Sequence, residues 1–258
     1  MLNDYSSIAE RPNVVLLDSV DSTNNYIRRL IASADPDVRT LAVIADHQTC
    51  GRGRCGRSFY SPESTGIYMS FAFRAEPDDP GIGHVTAYTA AILHRILSPI
   101  SASPLKIKWV NDLYNDSGKT TGVLTELIPP GETGWWVVIG AGVNLRPPLN
   151  EDPSLAGVMG HITENDATSG PTRGEVASSM LDAFERLWSG GAVICPELHS
   201  YYRDNCMSLG RTLEVRPPGR APYLARILSL DDDFALNVER CSDGTRIRIN
   251  SGEVSLSI

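Results

Sequence analysis

Seven consecutive positions, Gly51-Arg52-Gly53-Arg54-Cys55-Gly56-Arg57, hold three glycines and three arginines. Glycines let a backbone approach a ligand closely and turn its N–H groups toward phosphate oxygens. Guanidinium groups meet carboxylate and phosphate oxygens through paired hydrogen bonds. The stretch reads as an anion-binding loop, with a flexible exposed loop or an RGG-like RNA-binding patch as compositional alternatives. It occurs once and lies between two strand-like runs, which argues against a disordered RNA-binding tail. Lys119, after Ser117-Gly118, offers a point charge on a flexible stem. Taken alone it is a solvated turn lysine. Asp21, Ser22 or Thr23 could cap a following helix.

Positioning these groups requires a scaffold. Val14–Asp18 reads as a strand and Asn24 to about Ile31 as a helix with Ile27 and Leu30 on one side. Leu41–Ala45 and the aromatic-rich Gly66–Phe73 are further strands. A helix over His84 to Leu97 stops at Ser98-Pro99. Leu105–Trp109, Thr121–Leu127 and Trp135–Val143 read as strands, with turns over Asn111–Lys119 and Pro129-Pro130-Gly131. Short links imply antiparallel pairing, because parallel pairs need long crossovers. The region from Arg146 to Thr172 is a Pro-, Gly-, Asn- and Asp-rich excursion, with a short helix expected near Leu155. An amphipathic helix over Arg173–Trp188 and another over Cys195–Met207 follow. Beyond Gly210, short β segments alternate with turns: Thr212–Arg216, Tyr223–Leu230, Phe234–Glu239, Thr245–Asn250 and Glu253–Ile258. The expected class is α+β: a central mixed, mostly antiparallel sheet with flanking helices, then a small β barrel.

The 258 residues carry a formal net charge of -8, a poor balance for non-specific nucleic-acid binding. No basic-then-apolar leader opens the sequence, and no run approaches the roughly 20 apolar residues that cross a bilayer. The five scattered cysteines fit reduced thiols, so a cytoplasmic location is expected. Cys50 and Cys55 form the one close pair, with His47 as the sole nearby additional ligand, which is too few for a structural zinc site.

Five segments, in order, resemble the biotin–protein ligase family. They are Asp21-Ser22-Thr23-Asn24; Gln48 with the Gly51–Arg57 loop and Ser61-Pro62; Lys108-Trp109-Val110-Asn111-Asp112-Leu113; Lys119 through Glu126; and Gly140-Ala141-Gly142-Val143-Asn144. Gly252-Glu253-Val254-Ser255 is similar to the close of the family's small SH3-like domain. The resemblance implies a class II synthetase-like catalytic domain over 1–208 and an SH3-like domain over 209–258. It also implies a two-step reaction: biotin and ATP give biotinyl-5′-AMP, and biotin then passes to a lysine of a biotin carboxyl carrier domain.

By the same resemblance, Ser22, Thr23 and Gln48 hydrogen-bond the ureido head of biotin, beside Asn24. Gly51, Arg52, Arg54 and Arg57 order around the carboxylate and phosphates. Lys119 is the leading catalytic residue, with Arg52 and Arg54 beside it. Lys108 orders the pocket or receives the acceptor lysine, and Trp109 lies on the adenine side or packs the core, next to Asn111. Gly122 and Gly142 leave room for biotin's rings, and Asn144 meets the adenylate. Mg²⁺ bridges phosphates, with Asp112 as the candidate ligand.

Two positions depart from the family pattern. Cys55 stands where many members carry another arginine, and Val110 stands where proline is usual; valine here is expected to hold an extended strand. So few residues precede the first strand that a DNA-binding helix-turn-helix domain is not expected, and neither DNA nor membrane is an expected partner. A homodimer through an exposed sheet edge is physically open. The rival readings are a lipoate–protein ligase-like acyl ligase and a non-catalytic adenylate- or RNA-binding protein.

Overall fold

The computed structural model describes residues 2–76, 78–131, 134–148, 155, 157–164, 170–217, 221–250 and 255–257. Its main sheet has seven strands: β1 (Val14–Val20), β2 (Thr40–Gln48), β3 (Ile67–Arg74), β4 (Lys106–Lys108), β5 (Asp112–Asn115), β6 (Gly118–Gly131) and β7 (Gly134–Val143). Their spatial order is β1-β2-β3-β7-β6-β5-β4. Only β1 and β2 pair in parallel, and helix α1 (Thr23–Ile31) makes their crossover. The remaining neighbours are antiparallel. The expected mixed, mostly antiparallel sheet is therefore present.

The period-two alternation of the strands decides where the cleft forms. Met69, Phe71 and Phe73 of β3 and Val137, Ile139 and Ala141 of β7 join the core that packs against helices α2 (Val85–Leu97) and α3 (Arg173–Trp188). Ala72, Trp136 and Val138 point to the opposite face and pack with Ile27 and Ile31 of α1. Ser70, Gly140 and Gly142 share that second face by parity, and they lack the bulk to fill it. A hollow remains beside the start of α1.

α3 begins where the sequence said it should, because Thr172 and Glu175 form a reciprocal capping box. Arg173, the first helical residue, is 2% exposed and ion-pairs with Asp46 on β2 and with Asp4. Burial pushes the Asp46 carboxyl up, but the hydrogen bond and charge of Arg173 outweigh it and hold the carboxyl below its usual range. Its stabilising effect is complete above the unfolded carboxylate value of about 3.9 and fades as pH falls through the lower folded value. Asp46→Asn should cost about 3–5 kcal/mol at pH 7, and the gap to wild type should close in denaturant titrations repeated toward pH 2. A gap independent of pH would exclude this linkage.

The polar stretch expected to be a turn holds β5, paired with β4 on one side and β6 on the other. Its pattern is too short and polar to read as a strand, and the ladder supports it instead. Trp109 and Val110 lie in the turn between β4 and β5 rather than in an extended strand, and their peptide bond is cis. β6 continues through residues 129–131, where a turn was expected.

The second sheet contains β8 (Thr212–Arg216), β9 (Tyr223–Leu230), β10 (Leu236–Arg240), β11 (Arg246–Ile249) and β12 (Ser255–Ser257), in the order β11-β10-β9-β8-β12. It is an open sheet, which overturns the expected barrel: β11 and β12 lie at opposite edges, with no ladder joining them among the described residues. Closure requires strands long enough to tilt and stagger until first meets last. These edge strands have four and three residues. Alternation and turns specify neighbouring pairs but not closure. Residues 252–254 of the proposed closing motif lie outside the described residues. The sheet's apolar face, including Val215, Ile227 and Val238, joins the same core as the main sheet.

Phe234, expected in a strand, instead occupies the turn before β10, with φ 64°. Its buried ring sits among Tyr88, His199 and Tyr202 with centroids 4.8 to 5.5 Å away, the last two from helix α4 (Pro196–Asn205) and the first from α2. Its carbonyl accepts a hydrogen bond from Trp109 Nε1 at 2.7 Å. The second sheet is thereby braced against the Lys108–Asn111 segment.

Candidate functional site

The hollow beside α1 is a cleft of about 450 Å³, its open mouth included. Ser22 stands at the helix N-cap with extended backbone, yet its side chain makes no capping bond, and the residue is 1% exposed. The residue lines the cleft instead. Thr23 donates through both its backbone N–H (2.9 Å) and its hydroxyl (3.2 Å) to Gln48 Oε1. Gln48 Nε2 donates to Ser61 Oγ at 2.8 Å, which fixes the amide's orientation.

Ser70, a fully buried serine in the middle of β3, links this end to the helix. Its hydroxyl lies 2.8 Å from Thr23 Oγ1 and 2.6 Å from Asn24 Oδ1. Asn24 Nδ2 donates to Glu126 Oε2 at 2.8 Å. Sequence reasoning missed Ser70, although a hydroxyl inside an otherwise apolar strand must find a partner.

The cleft floor is made of glycine. Gly122 and Gly142 are directly paired across β6 and β7. A Cβ on Gly140 would lie 2.3 Å from Asn24 Oδ1, and one on Gly142 would lie 2.5 Å from Phe59 Cε1. A Cβ on Gly122 would meet Lys119 Nζ at 3.1 Å and Phe59 Cε2 at 3.3 Å. Phe59 thus rests its ring against the paired glycines and narrows the cleft. It too was missed, because an aromatic residue after a polar loop carries no signal of which surface it covers. Its backbone N–H donates to Gly51 O at 2.9 Å, closing the arginine loop into a small hairpin. Gly51 is required there: a Cβ would lie 2.3 Å from the Phe59 carbonyl oxygen.

Charged and amide groups line the other end of the cleft. Arg54 Nη1 donates to Asn111 Oδ1 at 2.8 Å. Asn111 Nδ2 donates to Asp112 Oδ1 at 2.8 Å, and Lys119 Nζ lies 2.7 Å from the same oxygen. A continuous chain therefore joins the loop arginine to the lysine on β6. The lysine is 29% exposed and its carboxylate partner 18%, so the ion pair is part-shielded but open to a ligand.

Not every candidate lines the cleft. Arg52 does, but its guanidinium is bound to Glu126 and Asn25. Lys108 lies over the Tyr114 ring at 4.8 Å, outside the lining. Burial pushes its ammonium pKa down; Asp112 partly opposes this, while Lys119 and Arg57 add to it. Arg57 is also outside the lining, close enough for its charge to act on Lys108 and Tyr114. Trp109 is 5% exposed and turned toward Phe234. Asn144 sits behind Lys119, donating to its backbone carbonyl at 3.2 Å.

The profile of the biotin/lipoate A/B protein ligase family matches residues 16–144. The bifunctional ligase/repressor BirA of Salmonella typhimurium is 35% identical over 174 residues, covering 66% of this chain and 51% of that protein. The biotin–[acetyl-CoA-carboxylase] ligase of Mycobacterium tuberculosis is 28% identical over 248 residues, 92% of this chain and 88% of that protein. The chain spans about half the length of the Escherichia coli and Salmonella relatives. Among solved structures, the biotin protein ligase of Aquifex aeolicus in complex with biotin and ATP shares the fold, with a TM-score of 0.72 at 24% identity over 96% of this chain and 99% of that one.

Proposed function

Because the chain belongs to the biotin/lipoate A/B protein ligase family, we propose that it joins biotin to ATP as biotinyl-5′-AMP and then transfers biotin to a lysine of a carrier domain. One observation carries the reading: neutral hydrogen-bonding groups at one end of the cleft, a glycine floor, and a cationic chain at the other. A biotin molecule has the same three parts, a ureido head, an apolar ring system with a chain, and a carboxylate. The Mycobacterium tuberculosis relative bears the name of such a ligase, and the Aquifex structure holds biotin and ATP.

Ser22, Thr23 and Gln48 meet the ureido N–H and C=O groups, with Asn24 and Ser70 fixing their orientation. The rings take the space above Gly122 and Gly142, displacing Phe59 to a side wall. Lys119 and Arg54 draw the carboxylate and the α-phosphate together, offsetting their repulsion and stabilising the charge that develops at phosphorus. A carboxylate oxygen attacks the α-phosphorus, and the bond to pyrophosphate breaks. The acceptor amine then attacks the acyl carbon, an amide forms, its proton is lost and AMP leaves. Arg57 and Lys108, at the rim, face the phosphates and the incoming lysine. Trp109 and Asn144 hold the walls.

Magnesium would enter with the nucleotide. Asp112 offers one carboxylate, and no group of three or more His, Cys, Asp or Glu side chains gathers around an ion among the described residues. That donor set suits Mg²⁺ held chiefly by phosphate oxygens. No helix among the described residues is long and apolar enough to cross a membrane. The scattered free cysteines suit a reducing cytoplasm. Residues 1–208 form the catalytic unit and 209–258 the unit that braces it. A homodimer would pair the open β1 edge of the main sheet, since the β4 edge is already met by the Cys206–Met207 segment at Ile107.

Intact-mass measurement of a carrier domain, with biotin, lipoate and octanoate competing, tests the reaction. Addition of biotin alone, and only with ATP, is expected. Transfer of lipoate or octanoate instead would keep the fold and refute the pocket assignment.

A further inference from the structure

Two of the loop's three arginines, Arg52 and Arg54, have different surroundings. Arg54 reaches Asn111 across the cleft. Arg52 turns the other way, onto Glu126 of β6: Nη2 donates to Oε1 at 3.1 Å and Nη1 to Oε2 at 3.3 Å, a two-pronged pairing. Arg52 Nη1 also reaches Asn25 Oδ1 on α1 at 3.1 Å. Glu126 is 13% exposed and is further bound by Arg28 at 3.0 Å and by Asn24 Nδ2 at 2.8 Å. Both N–H groups of Nη1 and one of Nη2 are thus taken up by Glu126 and Asn25, so the end-on fork of Arg52 is spent on the protein and only its side edge, Nε–H with the second Nη2–H, remains.

We propose that Glu126 is a positioning residue that tethers the loop through Arg52, leaving Arg54, rather than Arg52, to meet the reacting anions inside the cleft. The inference rests on the function proposed above for its kinetic part. The geometry joins three elements at one carboxylate: the loop, α1 through Arg28 and Asn24, and β6. Fixing the loop at Arg52 limits where Gly53 can carry Arg54, which keeps Arg54 over Asn111. The same carboxylate holds the Asn24 amide with its oxygen toward Ser70, and so sets the hydrogen-bond direction at the neutral end of the cleft. One side chain thus orients both ends.

Glu126→Gln keeps the shape and an acceptor for Asn24 while removing the charge that holds the fork. Hydrogen exchange on the ligand-free chain reads the tether without any transfer assay. Amides across residues 51–58 should exchange several-fold faster in the variant, with β6 and β7 amides unchanged. Equal exchange in the loop would overturn the tether; faster exchange everywhere would mark a general loss of structure and overturn it too.

Kinetics read the role of Arg52. Glu126→Gln, Arg52→Met and the double variant should each raise the KM for biotin by the same factor, about tenfold, since they break one interaction. Arg54→Met should instead lower kcat. If Arg52 were itself an anion ligand, Glu126→Gln would bind biotin as well as wild type or better while Arg52→Met alone lost affinity, and the proposal would fail. A wild-type chain that transfers no biotin would refute the proposed function and leave the exchange result to decide the tether.

Discussion

Lys119→Met should lower the rate of the proposed adenylate formation by about 10²–10³-fold, the usual loss when one preorganised charge or donor at the reacting centre is removed. The ammonium lies 3.1 Å from where a Gly122 Cβ would stand, so it overhangs the floor on which the substrate chain would rest. Its partner Asp112 holds it there at 2.7 Å. The variant should fold normally, because a 29% exposed lysine contributes little to the core. Pyrophosphate release with biotin and ATP measures the effect. Activity above a tenth of wild type would remove Lys119 from the reaction. Asp112→Asn should show a smaller loss, since the lysine remains but is less well held.

The second large effect is steric. Gly142→Val places a branched side chain where even a Cβ lies 2.5 Å from Phe59 Cε1. Phe59 is held at its backbone by Gly51, so the ring can swing aside, but the side chain added then occupies the space proposed for biotin. The Kd for biotin should rise by roughly 10–10²-fold, the affinity equivalent of the ~1–3 kcal/mol that overpacking a filled site costs. The thermal midpoint should stay near wild type, because the glycine lines an open cleft rather than the core. Calorimetric titration with biotin alone separates this from a catalytic defect. Unchanged affinity would mean that the rings lie elsewhere.

Much of this architecture is legible in local patterns. The helix over Arg173–Trp188 has the same limits in sequence and structure, because its capping box and its apolar spacing agree. The loop, Lys119, Asn111 and the glycine pair were recognisable as chemistry-bearing residues and do converge on one cleft. What could not be read depends on partners far along the chain. Trp109 reads equally as a ligand wall or a core residue, and only the fold brings the Phe234 carbonyl to its indole N–H, 125 residues away. Ser22 reads as a helix cap, yet its side chain makes no capping bond and the residue lines the cleft. The second sheet's strands were visible from alternation, but whether the first meets the last is a matter of tilt and length.

The bond between Trp109 and Phe234 also bears on how the protein is made. Synthesis runs from the N-terminus at about 5–20 residues per second, and a domain generally folds as a unit once its parts have emerged. The arginine loop and all of the cleft floor leave the ribosome well before residue 234 does. Until that turn arrives, the indole N–H has no acceptor from it and the aromatic socket between α2 and α4 has no plug. A nascent chain therefore holds the parts of its cleft for several seconds in an unbraced form, and messages truncated upstream of that turn would yield chains whose Lys108–Asn111 segment never receives its support.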